Sequence, residues 1–433
     1  MKRIFFAIAV LVVLPLASRA EETVIRLSVQ PMAAPKPALR YLLLPELKEM
    51  TPGNPIPNYL KCLLDQDFSS ERETLRKSAL RQADRAARMD KPDWQVLLKL
   101  KTDGLGLLLP DVQKMRALAG ALQARFREEI AQGRIDDALG TAKTMFALSR
   151  HLGEHPTLIG YLVAAAIAQI TIAPLEELLE QPGCPNLYWA LTNLPHPLIS
   201  LEKSMEGERL LLQSEFHELD DREPMTADQI NKAIAHIDKV RQLEGRARQS
   251  KEKTRAWLNA RIQDEKRVEA ARRRLSKYGI PTERLTRFPA DQVILLDEKR
   301  EYETRRDEAM KFMILPTWQV EKLAVRTKPS QEPALFASLV PFLEKVRQAQ
   351  GRLEQRIALL RHVEALRMYA AKHEGQWPEK LSDIELPLPV DPFTGKPFVY
   401  KSEGETAHLR GTPPRSYKEI PSFNIHYEIT IRK

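Results

Sequence analysis

The residues with the clearest metal-binding spacing lie in the middle of the chain. His151, Glu154 and His155 form the pattern H-x-x-E-H, the inverted order of a zinc-peptidase motif, in which both histidines must lie one helical turn apart to bind one ion. However, Gly153 interrupts this pattern and Pro156 follows it, and a proline disfavours the α conformation of the residue before it. We therefore expect the helix to end within the motif, with the histidines near its C-terminus and no zinc site.

The two cysteines, Cys62 and Cys184, are 122 positions apart. In an exported chain, a disulfide closing a loop of this length would contribute about 4–5 kcal/mol to stability in the chain-entropy model. The sequence does not decide between such a bridge and two separate buried thiols. Neither cysteine lies in a recognisable nucleophile motif, so a catalytic thiol is not expected.

A basic segment covers residues 241–280, with thirteen lysines and arginines against five aspartates and glutamates. Its densest part contains Arg272, Arg273, Arg274 and Lys277, a set suited to contact with nucleic acid or with an anionic polymer of the cell envelope. The same pattern is also typical of a solvated helix face. Because an exported protein seldom meets nucleic acid, the expected partner is a protein or another envelope component.

Motifs for the common cofactors and reactions are missing from the sequence. Searches for a P-loop, GxGxxG, GxSxG, HExxH, CxxC and an EF-hand loop find no match. The sequence therefore predicts no cofactor and no metal, identifies no catalytic residue, and leaves open whether the chain is an enzyme.

Composition narrows the class of protein. The chain has 433 residues, of which 43% are apolar and 29% charged, so it can form a substantial core and is not a disordered polymer. With 31 prolines, 17 glycines, two cysteines and few aromatic residues, it is not a collagen, a disulfide scaffold, a zinc-finger array or a multi-span membrane protein.

The N-terminal segment has the layout of a signal peptide. Two basic residues precede an apolar run at 4–14, and Ser18 and Ala20 suit the −3 and −1 positions of a signal-peptidase site. We predict a signal peptide over residues 1–20, cleaved after Ala20, and export to the periplasm, the envelope or the medium. A retained anchor is the alternative, although the run is shorter than the ~20 residues that span a bilayer.

A second uncharged stretch, residues 158–173, is 16 residues long and includes Gln169 and Thr171. It is short for a bilayer span, and a helix that is apolar on every side is typical of the centre of a helical domain. After signal cleavage, we therefore expect no transmembrane span.

The remaining patterns divide the mature chain into three parts. Residues 21–57 form a proline-rich extended arm, residues 58–327 a helical domain, and residues 334–433 a C-terminal helix with a small antiparallel sheet, with the loop 328–333 as the boundary. The fold class is therefore mainly α, an irregular stack of helical hairpins with a small C-terminal α/β lobe. We expect this lobe to pack as a separate unit.

Two helical features follow from local signals. Residues 124–152 predict a helix, a tight turn at Gly133 and a second helix, and this segment resembles one tetratricopeptide-type hairpin, without a regular repeat elsewhere. Thr226 and Gln229 predict the N-terminal cap of a single long polar helix over about 227–277.

The C-terminal part carries a recognisable series of turn residues. These are Tyr369, Gly375, Trp377, Pro378, Asp391, Pro392, Phe393, Gly395, Pro397 and Tyr400. In this order they resemble the globular half of type II secretion pseudopilins, where a helix leads through such a turn into a small sheet. The resemblance implies a pseudopilin-like lobe in which Asp391 accepts backbone N–H bonds and Gly395 adopts a positive φ. In a pseudopilin an apolar N-terminal helix leads directly into this lobe, whereas here several hundred residues intervene.

Further segments extend a resemblance along most of the chain. They read ALRYLLLPELKEMTPGNP, RHLGEHPTLIGYL, PNLYWALTNLPHPL and PADQVILLDE. Together with the C-terminal lobe, they resemble an uncharacterised exported protein family of planctomycete bacteria. This resemblance implies export and this architecture, and it implies no reaction.

The sequence thus favours an exported helical scaffold or binding protein of the cell envelope. The alternative is an enzyme of an unrecognised family that acts in the envelope through a groove between hairpins. A deep pocket that gathers several titratable residues would favour the enzyme, and a broad, shallow groove would favour a binding partner.

Overall fold

The computed structural model describes residues 23–432, apart from 65–72, 108, 220, 244–253, 325–334, 336–340 and 415–416. The predicted signal peptide and the loop 328–333 lie outside the described residues. The predicted fold class is confirmed: the protein is mainly α, with 61% of its residues in helices and a small four-stranded sheet. 

The helices of the described chain follow one another in fifteen segments. They are α1 (Ile56–Leu64), α2 (Glu73–Ala87), α3 (Leu97–Asp103), α4 (Pro110–Ala131), α5 (Ile135–Gly153), α6 (Leu158–Leu179), α7 (Tyr188–Thr192), α8 (Glu202–Glu215), α9 (Ala227–Leu243), α10 (Thr254–Ile262), α11 (Glu265–Lys277), α12 (Thr282–Arg287), α13 (Ala290–Lys311), α14 (Thr317–Ala324) and α15 (Pro341–Lys372).

The sheet joins the two ends of the described chain. Its strands are β1 (Thr23–Val29), β2 (Val399–Glu403), β3 (Thr406–Arg410) and β4 (Ile425–Ile431), in the spatial order β1-β4-β3-β2. β1 lies parallel to β4, whereas the other two pairs are antiparallel. The sheet is therefore mixed, and the prediction of an antiparallel sheet was wrong in this respect.

The additional strand comes from the segment predicted to be an extended arm. Ile25, Leu27 and Val29 alternate with polar residues, and Leu27 and Val29 are buried in the hydrophobic core. This period of two is a strand signal, and the prolines that suggested an arm begin only after it. The arm thus starts as a strand of the C-terminal lobe.

The predicted hairpin is confirmed. Helices α4 and α5 are joined by a turn in which Gly133 has φ +69°, and Ala138 in the first turn of α5 is fully buried.

Helix α6 follows this hairpin. It is the one helix of the described chain that is long and apolar enough to cross a membrane, and 67% of its most apolar window is buried inside the protein.

The long helix predicted over 227–277 is interrupted in the structure. Helix α10 ends at Ile262 and α11 begins at Glu265. The Asp264 carboxylate between them accepts hydrogen bonds from the backbone N–H groups of Lys266 (3.0 Å) and Arg267 (3.2 Å), so it caps α11 as a new helix.

The predicted cap at the start of α9 is confirmed. The Thr226 side chain accepts a hydrogen bond from the Gln229 backbone N–H, and the Gln229 side chain accepts one from the Thr226 backbone N–H.

Buried apolar side chains form two cores. The first gathers residues from α1, α2, α4–α7, α15 and the strands β1, β3 and β4. The second gathers residues from α3 and from α8–α13, including Phe216, Trp257 and Val293. The C-terminal helix and sheet share the first core with α6, so the boundary expected at 328–333 does not separate two cores.

A buried polar contact explains why the lobe is not a separate unit. The Glu176 carboxylate of α6 forms an ion pair with Arg356 of α15 and accepts a hydrogen bond from the Tyr427 hydroxyl of β4. Buried charges must be paired within the protein, so these three elements pack together. The sequence separates the partners by 180 residues or more, and local patterns could not reveal them.

The C-terminal turn has the geometry that its residues predict. Asp391 accepts hydrogen bonds from the backbone N–H groups of Phe393 (3.0 Å) and Thr412 (2.7 Å), and Gly395 has φ +67°. Helix α15 precedes it, and the stripe of Leu359, Val363, Leu366 and Ala370 predicted for this helix is buried.

Candidate functional site

A partly open groove of about 300 Å³ lies where three parts of the chain meet. They are the segment that leads into α3, the end of α5 and the exposed side of α8. The groove is lined by Pro92, Asp93, Trp94, Gln95, Val96, Leu97, Glu154, Pro156, Lys203, Glu206, Gly207 and Leu210. We call it the Trp94 groove.

The segment before α3 is held in place by side-chain hydrogen bonds. The side-chain NH₂ of Asn54 donates to the backbone carbonyl of Asp93 (2.7 Å), and the side-chain oxygen of Asn54 accepts from the backbone N–H of Asp93 (3.0 Å). The Asp93 carboxylate in turn accepts from the Gln95 N–H (3.0 Å). Gln95 has φ +52°, a left-handed conformation that costs a non-glycine residue free energy and that is typical of sites where function requires it.

Trp94 is fixed from both sides of its ring system. Its Nε1–H donates to the carbonyl oxygen of His151 (3.0 Å) at the end of α5. Its ring contacts the His155 ring edge-on, with centroids 4.9 Å apart. The indole therefore lies in one defined position at the side of the groove.

The residues of the H-x-x-E-H pattern lie behind and beside this tryptophan. Helix α5 ends at Gly153, so the predicted helix end within the motif is confirmed. The His151 Nδ1 lies 3.1 Å from the Tyr59 hydroxyl, and the His155 Nδ1 lies 2.8 Å from the Thr157 hydroxyl. Burial lowers the pKa of both histidines to about 4, so they are neutral near pH 7.

The third residue of the pattern has a different partner. The Glu154 carboxylate forms an ion pair of 2.7 Å with Lys203 of α8 across the groove. The two imidazoles bond to Tyr59 and Thr157, so the three side chains do not converge on one point as metal ligands do. Instead, the motif supports Trp94 and supplies one wall of the groove.

A glycine allows α8 to approach this wall. A Cβ atom on Gly207 would lie 1.9 Å from the Pro156 carbonyl oxygen, so no other residue fits here without backbone movement. The groove is thus formed by a close backbone contact between α8 and the turn after α5. Among the described residues, three carboxylates, those of Asp93, Glu154 and Glu206, line it with a single ammonium group, that of Lys203.

The basic residues identified in the sequence lie elsewhere, on α11. Arg274 pairs with Asp297 of α13 at 3.0 Å, and Arg272 pairs with Glu269 at 3.1 Å. Arg273 and Lys277 are exposed, and neither forms an ion pair with another residue of the described chain. Intramolecular carboxylates therefore pair with two of the four charges, and a contact of this helix with an anionic polymer stays a prediction.

The cysteines are both free and buried. The Cys62 Sγ lies 3.2 Å from the Asn58 carbonyl oxygen and 3.3 Å from that of Ala79, either of which can accept its one proton, whereas the Cys184 Sγ lies 3.5 Å from the Pro185 carbonyl oxygen. Burial raises the pKa of Cys62 to about 11 and that of Cys184 to about 12, so both are protonated thiols near neutral pH.

One group of metal-ligating side chains was missed by the sequence analysis. His408, His426 and Glu428 bring their ligand atoms within 4.8 Å of one another on the sheet. The spacing of His426 and Glu428 places both on one face of a strand, which was the available signal. His408 lies beside them because β3 pairs with β4 in the register that places His408 opposite Glu428, and the sequence does not specify this register.

Comparison with known proteins returned no match to this chain, whether against family models, curated proteins or solved structures.

Proposed function

We propose that this chain is an exported scaffold or binding protein of the cell envelope and that it holds a segment of a partner protein in the Trp94 groove. The observation that carries this proposal is the fixed position of the groove wall. Asn54 and Asp93 hold the loop, Gln95 adopts a left-handed conformation within it, and Trp94 is fixed by His151 and His155. A rigid aromatic side chain at a preformed groove is a common anchor for a partner, because little conformational entropy is lost on binding.

The lining of the groove indicates the chemistry of the partner. Beside Trp94, Leu97 is 58% exposed and the neighbouring Leu98 is 74% exposed, an amount of apolar surface that a partner would cover. The excess of carboxylates over ammonium groups favours a segment that carries lysine or arginine next to apolar residues. The same charges repel a polyanion, so we do not propose nucleic acid as the ligand of this groove.

The proposed location depends on the N-terminal segment. A basic pair, a short apolar run and small residues at Ser18 and Ala20 support a cleaved signal peptide. Intact-mass measurement of the chain from its native host should give a mature protein that begins at Glu21. A chain that retains Met1 would contradict cleavage.

Site-specific photocrosslinking tests the binding role. A photoreactive amino acid at Leu97, in the groove, should crosslink to a partner protein in envelope extracts. The same probe at Leu47, which is 91% exposed and does not line the groove, is the matched control. We expect a discrete product at position 97 and none at position 47. Equal products at both positions, or none at position 97, would contradict the proposal.

A further inference from the structure

The polar face of the sheet brings together two imidazoles and a carboxylate from two neighbouring strands. His426 and Glu428 are two positions apart on β4 and therefore lie on the same face. His408 on β3 lies directly opposite Glu428 in the antiparallel register. The three side chains thus occupy adjacent positions on a rigid framework of backbone hydrogen bonds.

The facing nitrogens of the two histidines are separated by a distance that suits a shared metal ion. His408 Nδ1 lies 3.0 Å from His426 Nε2. Two nitrogens bound to one tetrahedral Zn²⁺ at 2.0–2.1 Å lie about 3.3 Å apart. The ligand atoms of all three residues, the Glu428 carboxylate included, lie within 4.8 Å of one another. The three ligand atoms are therefore close enough together to share one ion once the two rings turn their nitrogens toward it.

We propose that His408, His426 and Glu428 bind one divalent transition-metal ion, with Zn²⁺ as the reference ion. Two imidazoles and one carboxylate are a ligand set that suits Zn²⁺ and its neighbours in the first transition series. Three protein ligands leave a coordination position for water or for a group from a bound molecule. The site lies on the sheet, on different elements from those of the Trp94 groove.

The carboxylates of Glu403 and Glu428 have different roles at this site. Glu403 Oε2 lies 3.8 Å from His408 Nε2, the nitrogen that faces away from His426. This separation is longer than a hydrogen bond, and the other oxygen of Glu403 pairs with Lys401. The carboxylate therefore acts on His408 by its charge, which favours the tautomer with its proton on Nε2 and leaves Nδ1 to bind a metal. One oxygen of Glu428 accepts from Arg26 Nε (2.9 Å). Its other oxygen has no hydrogen-bond partner within the described part of the chain and can bind an ion. Glu403 is therefore a positioning residue and Glu428 a ligand.

The site is reachable from solvent. The His408 side chain is 21% exposed and that of Glu428 is 26% exposed, whereas His426 is buried at 3%. Arg26, Lys401 and Arg410 lie on the same face and oppose a cation electrostatically. The affinity therefore depends on the imidazole nitrogens, which favour a transition metal over Mg²⁺ or Ca²⁺.

Equilibrium dialysis of the full mature chain against Zn²⁺, after chelator treatment, tests this proposal. We expect one ion per chain, retained in the His217→Gln control, which changes an exposed histidine on another element. His408→Gln should weaken binding at least 100-fold, and Glu428→Gln and Glu403→Gln about 10-fold each. His408 is preferred to the buried His426 because its substitution leaves the strand core intact; circular dichroism checks that each variant folds.

Substitution of Co²⁺ for Zn²⁺ gives an independent readout. The d–d absorption bands of a Co²⁺ ion bound by nitrogen and oxygen should appear in the wild-type protein and in the His217→Gln control, and should disappear in His408→Gln. Binding of less than one ion per chain, or equal binding by the wild type and His408→Gln, would overturn the proposal. His408 and His426 would then form only a hydrogen-bonded contact between two strands.

Discussion

The Tyr427 hydroxyl of the last strand donates a hydrogen bond to the Glu176 carboxylate of the central helix, and both side chains are buried. Arg356 of α15 completes the contact as the counter-charge of Glu176. The C-terminal lobe and the helical body are therefore joined through a charged group in a shared core. Disruption of this contact should affect both parts of the protein.

Glu176→Gln should destabilise the protein by about 3–5 kcal/mol, because it leaves the Arg356 charge buried without a partner. Tyr427→Phe, the milder matched change, keeps the ion pair and should cost about 1–2 kcal/mol. Urea unfolding measures both free energies. Hydrogen exchange of Glu176→Gln should accelerate in α6 and in α15 together; acceleration confined to residues after 341 would show that the lobe is independent.

The C-terminal turn offers a test based on two glycines. Gly395 and Gly404 have φ +67° and +59°, so alanine is strained at either position. A Cβ atom on Gly395 would also lie 2.8 Å from Trp318 Cδ2, whereas that on Gly404 would meet open space. Gly404→Ala should therefore cost about 1 kcal/mol, and Gly395→Ala about 1–3 kcal/mol more. Thermal or urea unfolding compares the pair, and equal losses would mean that the Trp318 contact does not restrict this turn.

Three buried histidines should each make a contribution to stability that decreases in mild acid, because burial opposes their protonation. Burial lowers the pKa of His362 to about 4 from its ordinary value of 6.5, as it does for His151 and His155. Between these pH values the unfolded chain binds more protons than the native protein. The contribution of these histidines to the free energy of unfolding therefore falls as the pH drops from about 6.5 to about 4, by roughly 1–3 kcal/mol for each histidine.

A variant comparison isolates this effect from other titrating groups. Burial raises the pKa of Glu208 to about 7, and this acts in the opposite sense, since the native protein then binds the extra proton. His362→Gln should reduce the fall in unfolding free energy between pH 6.5 and 4, and His217→Gln, which changes an exposed histidine, is the matched control. If His362→Gln retains the full wild-type fall, His362 is not a neutral buried group.

The features that the sequence predicted correctly rest on local signals. Gly133 between two amphipathic runs indicated the hairpin, Pro156 indicated the end of α5, and the order of Asp391 and Gly395 indicated the C-terminal turn. Each depends on residues a few positions apart, so one short window contains the whole signal.

The features that were missed depend on pairing between distant segments. β1 joins β4 across some 400 residues, and its alternation alone did not specify a partner. The Trp94 groove combines a strained loop with the turn after α5 and with α8, and Gly207 is required there only because of Pro156. The pairing of His408 with His426 likewise follows from strand register, which is fixed by the buried face of the sheet.

The binding role is tested most directly by the effect of groove charge on crosslinking at position 97. Lys203→Glu replaces the single ammonium group of the groove with a fourth carboxylate, whereas Lys232→Glu makes the same change in an exposed ion pair on α9. Both pairs are exposed and contribute little to folding. If the groove holds the basic, apolar segment proposed above, Lys203→Glu should increase the yield of the crosslinked product several-fold, because it adds a negative charge beside a cationic segment, and Lys232→Glu should leave the yield unaltered. An unchanged or reduced yield in Lys203→Glu would contradict recognition of a basic segment by this groove.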